Sequence, residues 1–281
     1  MIQNEITLGI TSAGNVRSLC MTLLAVVNAR YVPQRALLRL EGDPSGINDF
    51  YLSQIASWYR LAGVDLRIAI CAPKGIRAAR DWLLDECQTQ YLWMMDDDVV
   101  PAADCLQMLC ASQTSDITAA LQACKTDLSN LRGYADFNNI VHTKSELKDG
   151  VSYNHRWDQW PGSPPAHAIL PTYRVWSMDT GNVLLDVLRI REKGVKFSLF
   201  KDSTNCGGED TLFAMSLYHA GYEVLFSPWA KSEHLEKPVV RFNEDAARCE
   251  AVSRSMDALG MSPDLKAKMK TALMPWVFKK P

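Results

Sequence analysis

Tyr91-Leu92-Trp93-Met94-Met95-Asp96-Asp97-Asp98 runs five apolar or aromatic residues directly into three carboxylates. A short strand that is apolar at every position, rather than at alternate ones, is what a parallel sheet covered by helices on both faces requires. Ligands in such sheets bind beyond the carboxyl ends of the strands. The stretch therefore predicts a central strand and, at its end, the place of a site. Three adjacent carboxylates repel one another unless something cationic offsets them. Two readings of the triplet stand side by side. In an extended chain Asp96 and Asp98 share a face while Asp97 points elsewhere, which suits a divalent ion that also takes diphosphate oxygens. Alternatively, the triplet is a solvated acidic turn, or a helix start, before Pro101.

Working back towards the amino terminus, strand-like and helix-like segments alternate. Ile6–Ile10 reads as a strand, and 16–29 as a helix with Leu19, Leu23, Val26 and Val27 at helical spacing. Ala36–Leu40 is a second strand, closed by the turn signal Glu41-Gly42-Asp43-Pro44-Ser45-Gly46. Phe50–Ala62 predicts a second helix and Asp65–Ile70 a third strand. Pro73-Lys74-Gly75 then opens a helix through Cys87, with Ile76, Ala79, Leu83 and Cys87 on one side. Strands separated by helices need crossover connections, so the pattern predicts an α/β fold with a mostly parallel sheet flanked by helices. Thr11-Ser12, Glu41 to Asp43 and Asp96 to Asp98 then fall along one sheet edge.

Towards the carboxyl terminus the character changes. The stretch 134–176 holds His142, His155, His167, Trp157, Trp160 and Trp176, and includes Trp160-Pro161-Gly162-Ser163-Pro164-Pro165, with no regular periodicity. It reads as a long functional loop or excursion rather than core. Regular structure is expected again over Gly181–Leu188, as a helix over Asp210–Ala220 and as a strand over Tyr222–Phe226. The end, 243–280, reads as two helices broken at Gly260, with Ser262 as cap and Pro263 at the first helical position.

The whole chain, 281 residues, has room for one large α/β domain or two small ones. Lys and Arg number 30 against 32 Asp and Glu, a net charge of −2, so no global positive field draws the chain to nucleic acid or anionic membrane. No apolar run approaches the roughly 20 residues that span a bilayer, and Met1-Ile2-Gln3-Asn4-Glu5-Ile6 is not a signal peptide. Eight cysteines without a CxxC pair read as buried thiols of a reducing compartment. A soluble, cytoplasmic protein is expected.

Other residues join the triplet. Arg77 and Arg80 lie one helical turn apart near a helix start. Gly207-Gly208-Glu209-Asp210 sets two carboxylates at the beginning of a helix, where the dipole holds them ionised. Ser232-Glu233-His234 offers an imidazole that, with the acidic pair, would complete a mixed oxygen and nitrogen metal site. Simple helix capping accounts for Glu209 and Asp210 equally well.

The order of these motifs resembles the GT-A fold, nucleotide-sugar-dependent glycosyltransferases, and within them the large inverting family that includes the cellulose, chitin and hyaluronan synthases. The likeness runs from about Ile6 to Leu235: a first strand ending in Thr, an Arg-containing helix, a strand into D-x-D, a Gly-x-Asn segment, a Glu-Asp pair and a late His. The resemblance implies a GT-A domain over 1–240, with a nucleotide-binding half over 1–100 and an acceptor and catalytic half over 101–240, followed by a helical extension over 241–281. It implies that Asp98, Asp96 and His234 bind Mn2+ or Mg2+, with Asp96 on the metal or the ribose. Thr11, Glu41 and Asp43 would flank the base, while Arg77, Arg80 and Asp97 meet the diphosphate or sugar. Thr180, Gly181 and Asn182 would line the sugar and acceptor pocket. Asp210 would be the general base, with Glu209 orienting a hydroxyl.

Three departures bear on the details. The second strand ends Leu40-Glu41-Gly42-Asp43 rather than in the usual Val-Asp turn, Asp81 follows Arg80 where Asn is usual, and the synthases' Gln-x-x-Arg-Trp signature is missing. Transfer of a single sugar, from a UDP-sugar and with inversion, is the implied activity. The hydroxyl acceptor would be a glycan intermediate, a protein or a hydroxymethylated DNA base, the last disfavoured by the net charge. Trp157, Trp160 and Tyr173 either stack on the acceptor or cover core under the loop. The rival classes are a sugar-nucleotide nucleotidyltransferase, for which Thr11-Ser12-Ala13-Gly14-Asn15-Val16-Arg17 is a poor phosphate loop, and a non-catalytic carbohydrate-binding module.

Overall fold

The computed structural model describes residues 5–14, 16–42, 49–113, 117–127, 136–141, 152–156, 173–174, 178, 180–199 and 209–235, with 254, 256–258, 260–264 and 266–267 near the end. The first half alternates as the sequence predicts: β1 (Ile6–Ser12), α1 (Val16–Val27), β2 (Arg35–Glu41), α2 (Asp49–Leu61), β3 (Asp65–Cys71), α3 (Ile76–Glu86) and β4 (Tyr91–Asp96). There follow β5 (Val99–Pro101), α4 (Cys105–Ala111), β6 (Thr118–Asp127), β7 (Asp136–Val141), β8 (Ser152–Arg156) and β9 (Tyr173–Arg174). Last come β10 (Asn182–Asp186), α5 (Val187–Glu192), a 3-10 turn (Phe197–Leu199), α6 (Glu209–His219) and β11 (Glu223–His234).

Among the described residues nine strands form one sheet, in the order β3-β2-β1-β4-β10-β6-β11-β5, with β9 added to β11. The strands β1 to β4 are parallel, whereas β10 runs antiparallel to both β4 and β6. The halves expected over 1–100 and 101–240 therefore share a sheet. The chain moves outward from β1 to β2 and β3, then returns to the other side of β1 as β4. That reversal opens a crevice at the carboxyl ends of β1 and β4, where Thr11 and Asp96 are register partners.

The apolar run of β4 feeds two cores by simple alternation. Tyr91, Trp93 and Met95 face α1, α2 and α4, joining Leu19, Leu23, Ile55, Tyr59 and Leu106. Leu92 and Met94 face the opposite layer, with Leu83 of α3, Ile190 of α5 and Phe213 of α6. Period-two side chains and helices on both faces explain why every position of the strand had to be apolar. Gly9 of β1 is where α3 comes closest. A Cβ there would lie 2.7 Å from Leu92 Cδ1 and 3.2 Å from Leu83 Cδ1, both buried. Gly9→Ala is accordingly expected to destabilise by about 1–3 kcal/mol, the usual cost of overpacking, read as a lowered urea midpoint at constant slope.

The region 134–176 differs from the loop predicted for it. Its described residues include the antiparallel pair β7 and β8, which makes a separate two-stranded sheet, and β9, which pairs with β11. Polar strands such as Asp-Phe-Asn-Asn-Ile-Val lack the alternation that marks a half-buried strand, so their sequence carries no periodic signal. Near the end, Gly260 (φ 66°) does break helical structure: its amide bonds Asp257 O and that of Met261 bonds Met256 O, a Schellman closure. Among the described residues no helix is long and apolar enough to cross a membrane.

Candidate functional site

A cavity of about 690 Å³ opens at the crevice, a size suited to a nucleotide-scale ligand. Thr11 and Ser12 reach it from β1, Glu41 and Gly42 from β2, Arg80 from α3, and Asp96, Asp97 and Asp98 from the end of β4. Thr11, Glu41, Arg80 and the whole triplet thus line one cavity. Arg77, one turn before Arg80, is not among the lining residues.

The triplet departs from the extended alternation expected of it. β4 ends at Asp96, and Asp97 and Asp98 form a turn into β5, so each carboxylate has its own direction. Asp96 Oδ1 accepts from Arg80 Nη2 at 3.1 Å, and its amide is held by Gly181 O at 3.0 Å. Asp97 accepts a short hydrogen bond from the Ser12 hydroxyl, while its carbonyl accepts from Thr22 Oγ1. Asp98 Oδ2 meets His234 Nε2 at 3.1 Å, with side-chain exposures of 17% and 14%. The same turn is fixed by the Leu235 amide, which donates to Asp98 O.

Arg80 is the hub. Its side chain is 4% exposed and lies between three carboxylates: Asp96, Glu209 Oε1 at 3.2 Å and Asp210 Oδ1 at 2.5 Å. Burial alone would favour the neutral guanidine, but Asp210, Asp96 and Glu209 outweigh it and hold the cation firmly charged, above its ordinary value. Glu209 and Asp210 occupy the first turn of α6, where the positive end of the helix also faces them. Thr180 Oγ1 donates to Asp210 Oδ1 at 2.6 Å. Two motifs 130 residues apart in sequence, the Arg of α3 and the Glu-Asp pair, are therefore joined in one charge cluster with the first residue of the triplet.

The three-ligand metal set expected from Asp96, Asp98 and His234 is not assembled. Asp98 and His234 meet, but Asp96 turns to Arg80 because the strand ends there, and among the described residues no three His, Cys, Asp or Glu side chains converge on an ion. Asn182 is a second correction. It is buried with its Oδ1 accepting from Trp93 Nε1 at 2.8 Å and its Nδ2 donating to Cys105 Sγ, so it serves the core rather than the pocket. A buried indole N–H needs such an acceptor. Gly181 O holds the Asp96 amide.

Glu41 lines the cavity with both oxygens engaged. Oε1 accepts from Arg39 Nε and Nη2, and Oε2 accepts the amides of Lys74 and Gly75 at 3.1 and 3.0 Å. Gly75, at φ 86°, turns the chain into α3 in a conformation that a side chain disfavours. The same carboxylate clasps β2 to the start of α3 and shapes the cavity wall. Sequence reading missed this clasp, and it missed Asp81, which anchors the 3-10 turn; an acidic residue in mid-helix was the available signal. Asp43, Trp157 and Trp160 lie outside the described residues, and of Tyr173 the backbone alone is described, paired with Phe226.

No protein-family model and no curated sequence matches the chain. Solved structures do resemble it in fold. One is the mannosyltransferase PcManGT from Pyrobaculum calidifontis, in complex with GDP-Man and Mn2+, with a TM-score of 0.64 and 11% identity over 98% of this chain and 72% of that one. Residues 1–349 of S. aureus TarS give a TM-score of 0.64 and 12% identity over 97% of this chain and 72% of that one, and were also solved with UDP-GlcNAc. GalNAc-T7, with UDP, GalNAc and Mn2+, gives 0.61 and 13% over 90% of this chain and 48% of that one. With its mostly parallel sheet between two helical layers, the chain has the GT-A fold.

Proposed function

We propose that this chain is a glycosyltransferase that moves one sugar from a nucleoside-diphosphate sugar, a UDP-sugar in the first instance, to a hydroxyl acceptor with inversion. The observation that carries the reading is the Arg80 cluster, which unites Asp96, Glu209 and Asp210 at the ligand edge of the sheet. The nucleotide sugars and Mn2+ held by structures of the same fold support it.

The donor set fits a divalent ion of the Mn2+ or Mg2+ kind. One carboxylate that lines the cavity, Asp98, meets one imidazole, His234, and such ions are bound through one or two protein groups with phosphates and water supplying the rest. When bound, the ion would neutralise charge on the leaving diphosphate. The protein's own groups do the remainder. The Glu41 clasp shapes the nucleotide wall, Arg80 and Thr180 hold Asp210 by way of Oδ1, and Asp210 is the carboxylate assigned to take the acceptor proton. The acceptor oxygen bonds to the anomeric carbon, the bond from that carbon to the phosphate oxygen breaks, and the diphosphate departs with the electron pair. We assign the catalytic domain to 1–240 and an extension to 241–281.

Calorimetry of UDP, GDP and ADP with and without Mn2+ tests the reading. UDP binding that requires Mn2+ and weakens about 10–100-fold in Asp98→Ala is the expected result, on the scale by which metal-site changes act. Absence of metal-linked nucleotide binding at millimolar concentration would overturn it.

A further inference from the structure

Asp81 sits in the middle of α3, buried, where an aspartate is a poor helix former and a buried charge is costly unless bonded. Its bonds come from a distant segment. Oδ1 accepts the Phe197 amide at 2.7 Å and Oδ2 the Ser198 amide at 3.0 Å. The pair of bonds fixes the 3-10 turn, and Phe197 with it. One side of the Phe197 ring stacks on Phe213 with centroids 3.9 Å apart and planes at 7°, and the ring also lies 5.6 Å from Arg80 Cζ. Phe213 stands four residues after Glu209 and three after Asp210, on the helix face that carries those carboxylates.

Two adjacent residues of α3 therefore hold α6 by separate routes: Arg80 through charge, and Asp81 through the turn and the aromatic stack. We infer that Asp81 is a positioning residue for the transfer, setting the start of α6 so that Asp210 meets the acceptor while Arg80 is aimed at its carboxylates. This role rests on the glycosyltransferase reading. A carboxylate suits it because two amide donors need two acceptor oxygens, whereas an asparagine offers one and turns an N–H2 towards the other donor.

The test uses Asp81→Asn in the full chain, with sugar-nucleotide cleavage to water followed as release of nucleoside diphosphate. Hydrogen exchange of the Phe197 and Ser198 amides should accelerate. UDP and Mn2+ binding and the KM for donor should stay within about twofold, while kcat falls about 10–100-fold, the scale on which a small misplacement of a reacting group acts. Phe197→Leu, which keeps the Asp81 bonds and removes the stack, should lower kcat similarly with the Ser198 amide still protected. This second variant decides the matter if Asp81→Asn does not fold. An unchanged kcat in either folded variant of an active enzyme, or a parallel loss of kcat and nucleotide affinity, would overturn the positioning role and leave the glycosyltransferase reading intact. A wild type that binds UDP with Mn2+ yet cleaves neither UDP-sugars nor GDP-sugars would overturn the transfer reading, and the catalytic role of Asp81 with it.

Discussion

Asp210→Asn should lower turnover about 10²–10⁴-fold, the usual contribution of a positioned general base. The amide keeps the shape and the contact with Thr180 Oγ1 but cannot take the acceptor proton. Asp210 is not among the residues lining the cavity, so Mn2+-linked UDP affinity should hold at the wild-type value. Single-turnover kinetics beside calorimetry separates the two quantities. Wild-type turnover in the variant would remove Asp210 from proton transfer, and a matching fall in UDP affinity would place it in donor binding instead.

Replacing Arg80 by leucine should have the largest effect on folding, about 3–5 kcal/mol, the cost of removing one partner from a buried ionic cluster. The penalty comes from what remains: Asp96, Glu209 and Asp210 facing one another across an emptied cation site. The wild-type cluster is itself not a simple stabiliser. Its Nε is buried without a hydrogen-bond partner among the described residues, a donor whose desolvation offsets part of the attraction. Urea unfolding should show a lowered midpoint with the slope unchanged. The double variant Arg80→Leu with Glu209→Gln should recover part of the loss, because one like charge is gone and the two sites are coupled. Stability equal to wild type in the single variant would mean that water reaches the carboxylates and that the cluster is not buried in solution.

The first half of the fold was legible because its signals are local. Leu19, Leu23 and Val26 repeat at helical spacing and become the buried face of α1, and the unbroken apolar run of β4 announced two helical layers. The polar strands β7 and β8 were illegible, since neither alternates. The site divides along the same line. Which residues lie at the sheet edge follows from strand ends, and Thr11, Glu41 and Asp96 to Asp98 are there. Where each side chain turns depends on partners far along the chain. Asn182 faces Trp93, Glu41 faces the Lys74 and Gly75 amides, and Asp96 faces Arg80 rather than Asp98. No spacing rule contains those pairings, because they arise from packing rather than from period.

The strand order also governs how the molecule comes into being. Strands β1 to β4 pair with one another and need no residue beyond Asp96 to do so, so the wall of the cavity can form from contacts near in sequence while the rest of the chain is still being made. β11 enters last, between β6 and β5, and brings His234 to Val99 across a separation of more than a hundred residues. Closing so long a loop is entropically slow, and a chain that has folded its first half lacks the edge that completes the Asp98 turn. The nascent protein would thus acquire the wall of the cavity before it acquires the His234 contact at its acidic turn.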